Sequence, residues 1–354
     1  MALKALFITL VQNASERSKR SHYSSPRAVS ALAAIALSLI VSSGTPAQVA
    51  PNATGSADGN LVLLGEQLFR SPLFSRDASV SCSTCHIPAL GFSGDRPLAI
   101  GVAGNVSSRR APSLFDLRDT KDLMWDGRAP NLRSQAALPL ESPEMATRWP
   151  LALSRLNADA TITELSQRAG LTTLDREACL AALAAYVASL TAGISRFDRY
   201  YYHRETNALT TQEAWGLRLF MRKARCASCH LVDSRRAPFT DSAFHATGIG
   251  SEAGAFADRG RAAISGDPAD EGAFKTPSLR GVALRPYLMH DGSINTLRQA
   301  VEYYNRGISN RPSKVDDRLN PLHLTNEEID AVVAFLVSLT PENSIDPTSL
   351  ATVR

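Results

Sequence analysis

Five cysteines and seven histidines occur in 354 residues, and four of the cysteines fall into two copies of one pattern. Cys82-Ser83-Thr84-Cys85-His86 is the first copy, and Cys226-Ala227-Ser228-Cys229-His230 is the second. At this composition one such match arises by chance about once in a thousand chains, so two together are not an accident of composition. The chemistry that needs this spacing is c-type haem attachment. The two thiols add across the vinyl groups of one porphyrin, and the adjacent histidine is left under the iron as proximal ligand. A structural zinc site would want its four ligands on paired knuckles close in sequence, whereas these motifs lie 144 residues apart. A thioredoxin-like pair has no use for a histidine after the second cysteine, and structural disulfides leave both histidines unexplained. Two covalently bound haem c groups are therefore expected, with Cys82, Cys85, Cys226 and Cys229 as attachment points and His86 and His230 as iron ligands. Cys179 stands alone in the apolar run 178–190 and reads as an inert core residue.

The elements that must position these motifs come in duplicate. Residues 185–191 (AYVASLT) match 334–340 (AFLVSLT) at an offset of 149, and a Gly-x-x-Leu-Phe pattern precedes each motif, at Gly65–Phe69 and Gly216–Phe220. Each unit reads as a helix, a haem-binding turn, a long irregular segment and a closing helix. The second closing helix has a capping box at Thr325–Glu328, and Ile329, Val332, Val333, Leu336 and Leu339 follow at helical spacing. The first runs from about Asp175 to Thr191. Strand signals are scarce, while Gly and Pro cluster around 91–104 and 265–286. The expected fold is all-α, with two cytochrome c-like haem domains in tandem and long irregular loops.

Composition supports a globular chain, 44% hydrophobic and 20% charged. The net charge of +4 belongs to the first 47 residues, which hold five basic side chains and one acidic one. The rest carries 33 of each sign, which argues against a nucleic-acid partner. Residues 1–47 read as a secretory signal: basic residues end at Arg27, an apolar run spans 28–41, and a small-residue stretch ends at Ala47. Export to the periplasm is expected, with an uncleaved membrane anchor as the alternative. Residues 48–60 read as a linker, 61–200 as the first haem domain and 201–345 as the second.

The ordered motifs resemble the bacterial di-haem cytochrome c peroxidases and MauG-like enzymes. The resemblance covers nearly all of 60–340. It rests on Gly65–Phe69, Ser81–Phe92, Ala111–Leu114, Trp125–Ala129, Gln135-Ala136 and Glu144-Met145. In the second half it rests on Cys226–His230, Phe239–Asp241, Phe244-His245, Thr247-Gly248, Phe274–Arg280 and Tyr287–Gly292. It implies a peroxidatic first haem and an electron-transfer second haem, with hydrogen peroxide as oxidant. Electrons would come from a small redox protein (a cytochrome c or a cupredoxin) or from a protein substrate. Glu144 matches the catalytic glutamate and Gln135 a second polar residue of the distal pocket. The loop 139–144 is one residue shorter than the family pattern, which makes Glu141 the second candidate. Trp125 matches the aromatic between the haems, His290 a hydrogen-bonding residue near the second haem, and His245 a structural one.

Ligation by resemblance sets this chain apart from many peroxidases. The histidine that blocks the first iron sixteen residues after the proximal one is replaced by Val102, so an open distal face is expected. For the second iron, the position fourteen residues beyond His290 is Tyr304, as in MauG-like enzymes, where peroxidases have methionine; Met289 is the competing ligand. The family's inter-haem calcium uses an asparagine where Arg110 stands, and a cation cannot replace that oxygen ligand, which weighs against calcium. Ala224 occupies the place of the surface tryptophan with which MauG oxidises methylamine dehydrogenase, which argues against that maturation. A homodimer is left open. The alternative from another class is a non-catalytic di-haem electron-transfer cytochrome, which would have no open iron.

Overall fold

The computed structural model describes residues 57–342 except 234, 253 and 309–311. The expected leader, and the linker up to residue 56, lie outside the described residues. The first haem domain contains α1 (Ala57–Arg70), α2 (Cys82–Cys85), α3 (Leu132–Glu141), α4 (Trp149–Ala158), α5 (Ala160–Arg168) and α6 (Arg176–Ser189). The second contains α7 (Arg196–Tyr201), α8 (Thr211–Met221), α9 (Ala262–Ser265), α10 (Leu297–Arg306) and α11 (Asn326–Val337). Two boundaries shift from expectation. Helix α1 begins inside the stretch read as linker, where the Asn60 amide donates to the Arg168 carbonyl at 2.9 Å and ties the polar first turn to α5. Helix α7 precedes the expected break at 200, yet its Phe197 packs into the second core against Phe239 and Phe335.

The Gly-x-x-Leu-Phe pattern has one physical meaning in both domains. A Cβ at Gly65 would lie 1.9 Å from the Ala182 carbonyl oxygen, and one at Gly216 would lie 1.9 Å from that of Ala331. Only glycine lets α1 close on α6, and α8 on α11, at this separation. The Leu-Phe pairs that follow, Leu68-Phe69 and Leu219-Phe220, are buried in the two cores. Side-chain caps fix where the helices start. Asp175 accepts from Ala178 N–H at 2.7 Å ahead of α6, and reciprocal capping boxes at Thr210/Glu213 and Thr325/Glu328 open α8 and α11. Cys179 is fully buried on α6, and burial pushes its thiol up to about 12.

The all-α expectation needs one amendment. β1 (Phe244–Ala246) and β4 (Ala273–Lys275) pair antiparallel in the second domain, with His245 opposite Phe274. β2 (Ser251–Glu252) and β3 (Ala255–Phe256) form a second short ribbon. Runs of two or three residues are too short to show a period-2 pattern, so the sequence carries no signal for them. The fold is mostly helical with these two ribbons added. No helix among the described residues is long and apolar enough to cross a membrane.

The described residues belong to one compact unit, and the segment 109–128 stitches its two cores. Arg109 binds Asp126 at 2.5 Å and, bidentately, Asp258 at 2.6 and 2.8 Å. Arg261 donates to the Asp126 carbonyl at 3.0 Å, and Arg236 pairs with Asp116 at 2.7 Å. The main chain joins in, with Arg110 N–H on the His290 carbonyl (2.7 Å) and Lys275 N–H on that of Trp125 (2.8 Å).

Candidate functional site

Each C-x-x-C-H motif opens onto its own cavity. The first is lined by Cys82, Cys85, His86, Gln135, Glu144 and Trp125, with Arg109, Arg110, Arg128, Met124 and Met145 among the other walls. Helix α2 starts at Cys82, with Ser81 and Thr84 closing a capping box around it. His86 Nδ1 faces the Phe92 carbonyl at 2.9 Å. A carbonyl only accepts, so Nδ1 carries the hydrogen and Nε2 keeps its lone pair for a metal. Burial lowers the pKa of this imidazole, which favours the neutral form an iron ligand needs.

The second motif repeats this arrangement. His230 Nδ1 lies 2.8 Å from the Phe239 carbonyl, and burial again lowers the pKa of the ring. Both acceptors sit on phenylalanines with left-handed backbones, φ 54° at Phe92 and 50° at Phe239. Bulky residues seldom adopt that region, so the strain marks a carbonyl turned to meet its histidine. Burial pushes the Cys82 and Cys226 thiols to about 12, and all five cysteines are unpaired. Neutral free thiols beside an oriented imidazole fit covalent haem in both cavities.

The distal walls differ. Gln135 projects from α3, which Asn131 caps by accepting from Ser134 N–H at 3.0 Å. The Ser142 hydroxyl contacts the Glu144 carboxylate. From behind, Val102 N–H donates to the Glu144 carbonyl at 2.8 Å, and a Cβ at Gly101 would lie 2.2 Å from that oxygen. Val102, which stands in place of the family's blocking histidine, is fully buried and does not line the cavity. Glu141 is exposed, held by Arg176 at 2.7 Å and by the Trp149 indole at 3.1 Å, and lies off the cavity wall. In the second cavity Leu297, Val301 and Tyr304 project from one face of α10, facing Val332 and Leu336 of α11. Burial pushes the Tyr304 phenol upward, so a bound cation is needed to draw off its proton. Met289 lines the same cavity with φ 64°.

Trp125 lines both cavities. Its indole N–H donates to the Arg110 carbonyl at 2.8 Å, and the Arg110 guanidinium lies 5.4 Å from its ring centroid. His290 meets Trp125 edge-on at 6.4 Å and stacks on Phe274 at 3.6 Å. His245 sits between Asp241 and Asp316, each at 2.8 Å. Cys229, Asp241 and His245 bring ligand atoms within 4.8 Å of one another, but Cys229 also belongs to the second C-x-x-C-H motif, whose spacing suits haem attachment. Sequence reasoning missed Ser142, the carbonyls of Phe92 and Phe239, and Arg285 on the second cavity wall. Ser142 alone had a local signal, two residues from a candidate carboxylate.

Comparisons with known proteins agree with this layout. A family model described as di-haem cytochrome c peroxidase matches residues 59–206, and one described as cytochrome c matches 213–340. The methylamine utilization protein MauG of Methylorubrum extorquens is 36% identical over 79% of this chain and 78% of the relative. The cytochrome-c peroxidase IdrP2 of Denitromonas iodatirespirans is 31% identical over 85% of this chain and 87% of the relative. Among solved structures, a MauG-like protein associated with microbial copper homeostasis is similar at a TM-score of 0.73 and 28% identity, covering 86% of this chain and 95% of that one. The diheme peroxidase BthA of Burkholderia thailandensis is similar at 0.68 and 26%, over 80% and 86%.

Proposed function

Because the chain belongs to the di-haem cytochrome c peroxidase family, is a peroxidase-type oxidoreductase and carries two covalently bound haem c groups, we propose that the first haem domain reduces hydrogen peroxide with electrons passed from the second. The observation that carries this division of labour is the contrast in lining: Glu144 lies on the first cavity only, while aliphatic residues and Tyr304 back the second. When bound, the first haem supplies an iron that takes up peroxide and delivers electrons to it. Two protons and two electrons convert one hydrogen peroxide into two waters. Glu144 carries a proton from the near peroxide oxygen to the far one, acting as base and then as acid. The Ser142 hydroxyl orients that carboxylate, and the Gln135 amide, on the same cavity wall, would donate a hydrogen bond to peroxide held there. Trp125, on the walls of both cavities, relays the electrons. Tyr304 would hold the second iron together with His230, with Met289, on the same cavity wall, the competing residue.

A small redox protein, a cytochrome c or a cupredoxin, is the electron donor, and the chain works after export through its leader. The test is stopped-flow mixing of peroxide with the fully ferric and the half-reduced protein. On the described first cavity His86 is the only histidine, so the ferric form reacts at a rate comparable to the half-reduced one. Reaction of the half-reduced form alone would mean that another group gates the first iron.

A further inference from the structure

Three arginines are buried among the described residues: Arg110, Arg280 and Arg285. Arg280 is neutralised by Asp198, with contacts at 2.9 and 3.0 Å. Arg110 and Arg285 form no ion pair with a described carboxylate; Asp291 acts on Arg110 only through space. Their protein partners are main-chain carbonyls. Arg110 donates to Met289 at 3.0 Å and Ala111 at 3.1 Å, and Arg285 donates to Ser278 at 2.8 Å and Arg280 at 2.5 Å. The Arg285 Nε–H is buried with no partner. A guanidinium does not shed its proton in a protein, and burying one without a counter-ion is costly. Burial lowers the pKa of both groups, and the charge of Arg110 adds to the effect on Arg285. Two like charges brought together in this way call for an anion.

Their location says which anion. Arg110 lines both cavities, Arg285 lines the second, and both line a third cleft that shares Trp125 with the two cavities. Haem carries two carboxylate side chains, so two haems bring several negative charges to this region. We propose that Arg110 and Arg285 form a built-in anion site at the junction of the cavities that binds haem carboxylates, Arg110 serving both haems and Arg285 the second. Together the guanidinium groups carry the charge of one divalent cation, in fixed positions and with N–H donors already pointed by carbonyl anchors. The pair does the neutralising work of a bound metal ion and repels one from the same place. This inference rests on the two haem c groups and not on peroxide turnover.

The test uses the holoprotein. Haem count by pyridine haemochrome is measured first, because a count below two would overturn the haem assignment itself and not the arginine site alone. Wild-type protein passed through EGTA should hold less than a stoichiometric amount of calcium and keep both spectra and both midpoint potentials. Arg285→Gln should lower the second haem's midpoint potential, and Arg110→Gln should lower both, since removing a nearby positive charge disfavours the reduced iron. Arg→Lys at each position should recover part of the shift, because charge returns without the planar fork. Unchanged potentials in both Gln variants, or potentials in wild type that collapse with EGTA and return with calcium, would overturn the proposal. If a Gln variant fails to fold, the calcium measurement on wild type decides.

Discussion

The two haem cavities share a scaffold and differ in one wall. Each has a glycine-mediated helix crossing, a capped helix behind it, and a proximal imidazole whose Nδ1–H is aimed at a strained phenylalanine carbonyl. The first adds Glu144, Gln135 and a serine clamp; the second adds an aliphatic helix face bearing Tyr304. The proximal half is therefore a holder that has been duplicated with little change. The distal half is where each copy acquires its own chemistry.

The change expected to break this comparison most severely is Glu144→Gln, which removes the carboxylate proposed to carry the proton and leaves the cavity volume almost unchanged. Peroxide consumption should fall by roughly 100-fold or more, the scale of general acid–base catalysis, with both ferric spectra intact. Stopped-flow absorbance measures it, and unchanged turnover would take the role away from Glu144.

Next come the shared crossings. Alanine has a helix propensity about 1 kcal/mol better than glycine, but a Cβ at Gly65 or Gly216 would overlap a backbone carbonyl oxygen that cannot move by itself. Overpacking of this kind costs about 1–3 kcal/mol, so the clash wins. Gly65→Ala and Gly216→Ala should each lower thermal stability of the holoprotein, measured by circular dichroism. Equal losses would make the two holders mechanically equivalent, and an unchanged melting temperature would show that the crossing can widen.

The smallest expected effect is Tyr304→Phe, which deletes one oxygen. It should alter the second haem's absorption and magnetic resonance signals and leave ligand binding at the first haem as it was. Spectra identical to wild type would hand the ligand position to Met289.

What was legible from sequence was whatever the chemistry encodes within a few residues. The C-x-x-C-H motifs, the Gly-x-x-Leu-Phe pattern and the capping box at Thr325 are local, and each forecasts one piece of backbone. The partners that complete the sites are not local. Phe92 lies six residues beyond His86, but Phe239 lies nine beyond His230, so no fixed spacing marks the carbonyl acceptor. Arg110 and Arg285 are separated by most of the described chain, and nothing in either neighbourhood shows that both lose their solvent. The ribbons β1–β4 and β2–β3 were invisible for a different reason: they are shorter than any pattern that could announce them.

The way Trp125 is held has a consequence for conduction. Its indole N–H is fixed to the Arg110 carbonyl, its own carbonyl receives Lys275 N–H, and Arg110 N–H is fixed in turn to His290. The ring is thus pinned by main chain from both domains, and no side-chain rotation alone can move it. With the ring held by main chain of both domains, an electron routed through it needs no slow domain motion to open the path. Transfer between the two centres should then respond to the difference in their potentials and be indifferent to solvent viscosity, as in a fixed resistor rather than a swinging contact.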